Sequence, residues 1–155
     1  MSPAIWKPNV TVAAVVERDG RFLLVEEETD DGLRFNQPAG HLDEGESLVA
    51  ACVRETLEET AYAFEPTALV GVYQWPRPRN ENEGDITYLR FAFAGKVGGS
   101  DTARPLDVGI VRAVWMTPDE IAAVAARHRS PLVWQCVQDY LAGRRFPLDL
   151  IRHHG

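Results

Sequence analysis

The chain has 155 residues, 45% apolar and 25% charged, with a formal net charge of −7, enough for one domain with a buried core, which we expect to span residues 1–155. No run of about 18 apolar residues occurs, so no membrane-spanning segment is expected. The acidic balance argues against general nucleic-acid binding, but not against a small anionic substrate, because a bound metal reverses the local field of an acidic site. The opening MSPAIWKPNVTV lacks the basic-then-apolar pattern of a secretory leader. Cys52 and Cys136, with no C-x-x-C spacing, suit a reducing cytoplasm and read as small buried hydrophobes.

Asn9 to Glu17 (NVTVAAVVE) is apolar and β-branched enough for a central strand. Asp19-Gly20 makes a turn into the paired strand Arg21 to Glu28, which predicts a hairpin. Arg34 to Pro38 is short and extended and leads into Ala39-Gly40. A helix is expected from about Glu46 to Thr60, and Glu65-Pro66 ends the helical region. Ala68 to Trp75 and Ile86 to Ala94 are further strands, separated by the charge-rich loop PRPRNENEGD, and Ile110 to Met116 is another beyond a flexible connection. Thr117-Pro118-Asp119-Glu120 is a capping box, and Ser130-Pro131 opens a last helix that Gly143 stops. The order β-β-β-α-β-β-β-α-α predicts an α/β fold, a mixed sheet with helices on both faces. The terminal His153-His154 reads as a frayed tail.

The expected helix at Glu46 to Thr60 sorts residue types by face. At about 100° per residue, Val49, Cys52, Val53, Thr56 and Leu57 fall on one side and Glu55, Glu58 and Glu59 on the other. Three carboxylates that close repel one another, and the helix carries one basic residue, Arg54. A divalent cation accounts for such a cluster, and oxygen-only ligands suit Mg²⁺ or Mn²⁺ rather than Zn²⁺.

These residues resemble the Nudix box, G-x5-E-x7-R-E-U-x-E-E-x-G-U, where U is bulky and apolar. Gly40, Glu46, Arg54, Glu55, Glu58 and Glu59 match six of its seven fixed positions. At residue frequencies of roughly 5–7%, that register arises by chance about once in 10⁵ chains. Ala61 replaces the final Gly, which puts a left-handed helix exit at a cost of about 1 kcal/mol, and Thr56 replaces the first U. The resemblance implies an α/β/α sandwich and hydrolysis of a phosphoanhydride with Mg²⁺, Mn²⁺ being the other candidate. It implies Glu58 and Glu59 as metal ligands and Glu55 as a third ligand or as the base. The Gly40 carbonyl is a further candidate ligand. Arg54 reads as a residue that holds a neighbouring carboxylate, and Glu46 as a helix-start acid with a metal role weighed equally.

Candidate substrate contacts are Trp6, Asn36, Gln37 and Arg90. Trp6 precedes the first strand and offers a ring for stacking. Asn36 and Gln37 run into Gly40, and Arg90 is a cation among apolar strand residues. Tyr73 and Trp75 read as structural, His41 as solvated, Arg77 and Arg79 as a loop or lid, and Asp107 as a site for one more acid. The segments KPNVTVAAVV, FNQPAGHLDEGESL and RSPLVWQCVQDYLAGRRFPLDLI are similar to the bacterial Nudix subgroup of the phosphatase NudJ. That similarity implies a cytoplasmic monomer acting on nucleoside di- and triphosphates or a thiamin-pathway pyrophosphate. One alternative is a pyrophosphohydrolase for ADP-ribose or a dinucleoside polyphosphate. Another is a non-catalytic nucleotide-binding regulator, against which stand the three retained carboxylates.

Overall fold

The strand expected at Asn9 to Glu17 is the centre of the fold. In a computed structural model, residues 3–78 and 84–155 are described. In chain order the elements are β1 (Asn9–Arg18), β2 (Arg21–Thr29), β3 (Gly32–Asn36), β4 (Ala39–His41), α1 (Leu48–Thr60), β5 (Tyr62–Arg77) and β6 (Ile86–Ser100). Then come β7 (Ile110–Met116), α2 (Pro118–Ala123) and α3 (Leu132–Leu141), with 3₁₀ turns at Ala125–Arg127 and Leu148–Leu150.

The sheet is mixed. β1 runs parallel to β6 from Asn9 to Val16 and antiparallel to the short β4. β5 pairs antiparallel with β6 at the edge. β2 carries β3 on one side and β7 on the other. Asp19 and Gly20 both have positive φ, 53° and 77°, the conformation that a two-residue hairpin turn needs. β1 and β2 pair only beside that turn, at Glu17–Phe22 and Arg18–Arg21, and then part into the two halves of the sheet.

β1 is buried on both faces, which is why it reads as a continuous apolar run rather than an alternating one. Val12, Ala14 and Val16 pack with Ala51 and Cys52 of α1. Ala13 and Val15 pack on the other side with Ile121 of α2 and Cys136 and Val137 of α3. The result is helix, sheet, helix, as expected. Both cysteines are free and buried, one in each of these two layers.

Several boundaries differ from the sequence reading, among them β3, which runs Gly32–Asn36 rather than Arg34 to Pro38. β4 is an additional strand: three residues are too few for a periodic signal. α1 begins at Leu48, because the Ser47 side chain accepts from the Ala50 N–H and caps it there. Pro66 lies inside β5 rather than ending a helical region, at an edge strand where the register shifts and its missing N–H is tolerated. β6 extends to Ser100, since β5 gives partners as far as Tyr62. The capping box at Thr117 and Glu120 is formed as expected.

Candidate active site

The acidic helix α1 and the β3–β4 segment build the site together. Arg54 is its organiser. Its Nε and Nη2 grip the two oxygens of Glu46 at 3.0 and 2.7 Å, a bidentate pair. Its Nη1 donates to Glu55 Oε1 at 2.8 Å and Glu58 Oε2 at 3.2 Å, and Nη2 also reaches the His41 carbonyl. Hydrogen bonding to Glu46, then Glu55, raises the Arg54 pKa and keeps it charged. The same bond lowers Glu46. Glu46 therefore lies before the helix and anchors Arg54 instead of sitting in the first turn as expected.

Gly40 has a steric reason to be glycine. A Cβ there would lie 2.1 Å from the Glu55 carboxyl carbon and 2.3 Å from Oε2. The Glu55 carboxylate is thus pressed against the β4 backbone. Burial pushes its pKa up, Arg54 opposes this, and Glu58 and Asp107 add to the rise. Glu59, expected on the carboxylate face as a metal ligand, is 8% exposed, and its Oε1 accepts the Ala39 N–H at 2.9 Å. Burial raises its pKa to about 8, with Glu27, Glu55 and Asp107 contributing and the Ala39 bond opposing. Ala61 takes the left-handed conformation, φ 63°, and its N–H caps the Leu57 carbonyl, so alanine makes the exit turn of the helix.

Oxygen atoms of Glu55, Glu58 and Asp107 lie within 4.8 Å of one another. The Asp107 loop is held there by its N–H, which donates to the Glu58 carbonyl at 2.9 Å. An all-oxygen donor set fits a divalent cation, which would offset both the mutual repulsion of these groups and the burial of Glu55.

Beside this cluster lies a cleft of about 870 Å³. Gly40, His41, Glu55 and Glu59 line it at the acidic end. Arg34, Asn36, Arg77, Arg90 and Arg129 line it as well, with Trp75 stacked on Tyr88 at 5.8 Å and 20° between planes. Of the expected substrate contacts, Asn36 and Arg90 reach the cleft wall. Gln37 lies behind it, 1% exposed, its amide taken up by Val133 and Arg90. Trp6 is 64% exposed and is not part of the lining. Tyr73 hydrogen-bonds Asp139 at 2.7 Å, in line with a structural role. Arg79 falls outside the described residues.

A NUDIX domain model matches residues 6–135. The chain belongs to the Nudix family. It is 39% identical over 147 residues to phosphatase NudJ of Escherichia coli strain K12, covering 95% of this chain and 92% of that protein. It superposes on a NUDIX hydrolase from Nitrosomonas europaea with a TM-score of 0.89 at 53% identity, covering 96% and 98% of the two chains. An ADP-ribose pyrophosphatase from Streptococcus suis shares the fold, at a TM-score of 0.64 and 18% identity over 89% of this chain and 91% of that one. This Nudix hydrolase is an enzyme acting on pyrophosphate bonds. No helix among the described residues is long and apolar enough to cross a membrane.

Sequence reasoning missed Tyr88, Arg34, Arg129 and Glu27 as cleft residues. Tyr88 was within reach: two residues before Arg90 on one strand, it shares that residue's face. Arg34 pairs with Glu27 across β2 and β3, a register that a single sequence does not reveal. Arg129 comes from the segment leading into α3, through a main-chain bond from its N–H to the Phe35 carbonyl.

Proposed function

We propose that this Nudix hydrolase cleaves phosphoanhydrides of nucleoside di- and triphosphates or of a thiamin-pathway pyrophosphate, as a cytoplasmic monomer, with Mg²⁺ or Mn²⁺ as cofactor. The observation that carries the reading is the composition of one cleft: carboxylates at one end, arginines along the wall and an aromatic stack beyond. Similarity to phosphatase NudJ along nearly the whole chain supports it.

Glu55, Glu58 and Asp107 would hold the metal, with Glu59 and the Gly40 carbonyl as further ligands. A divalent cation held by these residues would offset charge on phosphate oxygens and lower the pKa of a water so that its hydroxide could attack phosphorus. Arg54 fixes Glu55 and Glu58 in direction and opposes the rise that burial gives Glu55. Arg54 occupies Glu55 Oε1, which leaves Oε2 as the atom that would either complete the metal's ligands or take a proton from the attacking water. Arg34, Arg90 and Arg129 bind non-bridging oxygens, and Asn36 steadies the Arg90 guanidinium. Trp75 and Tyr88 give a planar ring a surface to stack on.

The test is ³¹P NMR of the protein with Mg²⁺ and a mixture of GDP, thiamin pyrophosphate and ADP-ribose. Orthophosphate from the first two is expected. Loss of ADP-ribose alone, giving AMP and ribose phosphate, contradicts the substrate assignment, and no change in any resonance contradicts turnover on this class.

A further inference from the structure

Arg90 is 5% exposed, yet it lines the cleft. Among the described residues its hydrogen bonds go to neutral groups. Nη1 donates to Gln37 Oε1 at 2.9 Å and lies 3.7 Å from Cys136 Sγ, and Nη2 donates to Asn36 Oδ1 at 3.0 Å. Among the described residues it forms no ion pair. Glu27 acts on it only through space, and is itself engaged by Asn36 and by Arg129 at 3.9 Å.

Gln37 sets this arrangement. Its Nε2 donates to the Val133 carbonyl on α3 at 2.8 Å, which leaves Oε1 as the end that faces the guanidinium. No described buried side-chain nitrogen or oxygen lacks a partner. What Arg90 lacks is therefore not a hydrogen bond but a counter-charge in direct contact, Glu27 acting on it only from a distance, and a buried cation so placed is costly. Glutamate at position 37 or aspartate at 36 would supply that charge with nearly the same shape. The chain has the amide at both positions.

We propose that Gln37 and Asn36 are positioning residues that hold Arg90 as a hydrogen-bonded fork with its charge uncompensated, and that a phosphate of the substrate is its counter-ion. The inference rests on the cleft being where the anhydride binds. A carboxylate at either position keeps an acceptor for the guanidinium but neutralises its charge, and it gives up the amide donor that braces the Val133 carbonyl or Glu27, so melting reports the brace and analogue affinity in a folded variant reports the charge.

The experiment uses the full chain, with Gln37→Glu and Asn36→Asp. Calorimetry measures binding of methylenediphosphonate, a non-hydrolysable pyrophosphate analogue, in Mg²⁺, thermal melting reports the fold, and kinetics separate KM from kcat. Each variant loses an amide donor, to the Val133 carbonyl or to Glu27, so both should melt below the parent while still unfolding cooperatively. Affinity for the analogue should fall about tenfold or more, the range of a lost charged hydrogen bond, with KM rising more than kcat falls. A folded Gln37→Glu that binds the analogue with parental affinity overturns the proposal. If Gln37→Glu does not fold, parental affinity in Asn36→Asp overturns it, and so does a parent protein that does not bind the analogue. If the parent turns over neither nucleotides nor thiamin pyrophosphate while the variants still lose analogue affinity, the proposal stands and the substrate assignment fails.

Discussion

Arg54 and Arg90 serve one site in opposite company. Arg54 lies within ion-pair distance of Asp43, Glu46, Glu55 and Glu58, whereas Arg90 has two amides and a thiol. The first cation is spent inside the protein, keeping carboxylates together that would otherwise repel. In the role proposed for it, the second keeps its charge for a ligand. The contrast shows that an arginine near a phosphate site is read from its partners, not from its presence.

Disturbing the acidic side should have the largest effects. Gly40→Ala forces Glu55 off the β4 backbone, and an ångström of misplacement is worth about 10²-fold in rate. Steady-state kinetics should show that loss in kcat with little change in melting temperature. Arg54→Ala removes the common partner of Glu46, Glu55 and Glu58. Because these groups are only partly buried, the metal-free protein should lose about 1–3 kcal/mol in urea unfolding, and Mg²⁺ should restore part of it.

A pH series isolates the uncompensated carboxyls. The pKa of Glu59 rises from an ordinary 4.5 to about 8 on folding, through burial. Its protonated form therefore favours the folded state, and its contribution is complete below about 4.5 and lost as pH rises towards 8. Metal-free stability should fall across that window by at most about 1.4 kcal/mol per pH unit. Glu55 is raised as well and acts in the same direction. Glu26 and Glu46 are lowered by their arginines, so their stabilisation is lost only at more acid pH. Urea unfolding in EDTA from about pH 5 to 8 measures the slope, Glu59→Gln should flatten it, and saturating Mg²⁺ should reverse it.

Ala61→Gly sets the scale outside the site. Relief of the left-handed φ gains about 1 kcal/mol, and loss of a buried methyl costs about 0.8 kcal/mol. The net change in unfolding free energy should stay within about 0.5 kcal/mol.

The central strand, both flanking layers, the hairpin turn and the acidic helix were legible because each has a local signal: an apolar run, a D-G pair, a 3.6-residue period. The cluster residue Asp107 and the anchor role of Glu46 were less so, since each depends on a loop returning to α1 through main-chain or ion-pair contacts. Glu59 was grouped with Glu55 and Glu58 by the helical wheel, which cannot show that the Ala39 N–H of β4 takes up one of its oxygens. Gln37 read as a ligand contact from its nearness to Gly40, while the α3 carbonyl that claims its amide lies 96 residues away.

The most direct measurement is turnover by Glu58→Gln under saturating Mg²⁺, on whichever anhydride the parent hydrolyses, with melting temperature as the control for folding. The metal-site account predicts that phosphate release is abolished in a protein that melts like its parent. Near-parental turnover would contradict the assignment of the α1 carboxylates as the catalytic centre.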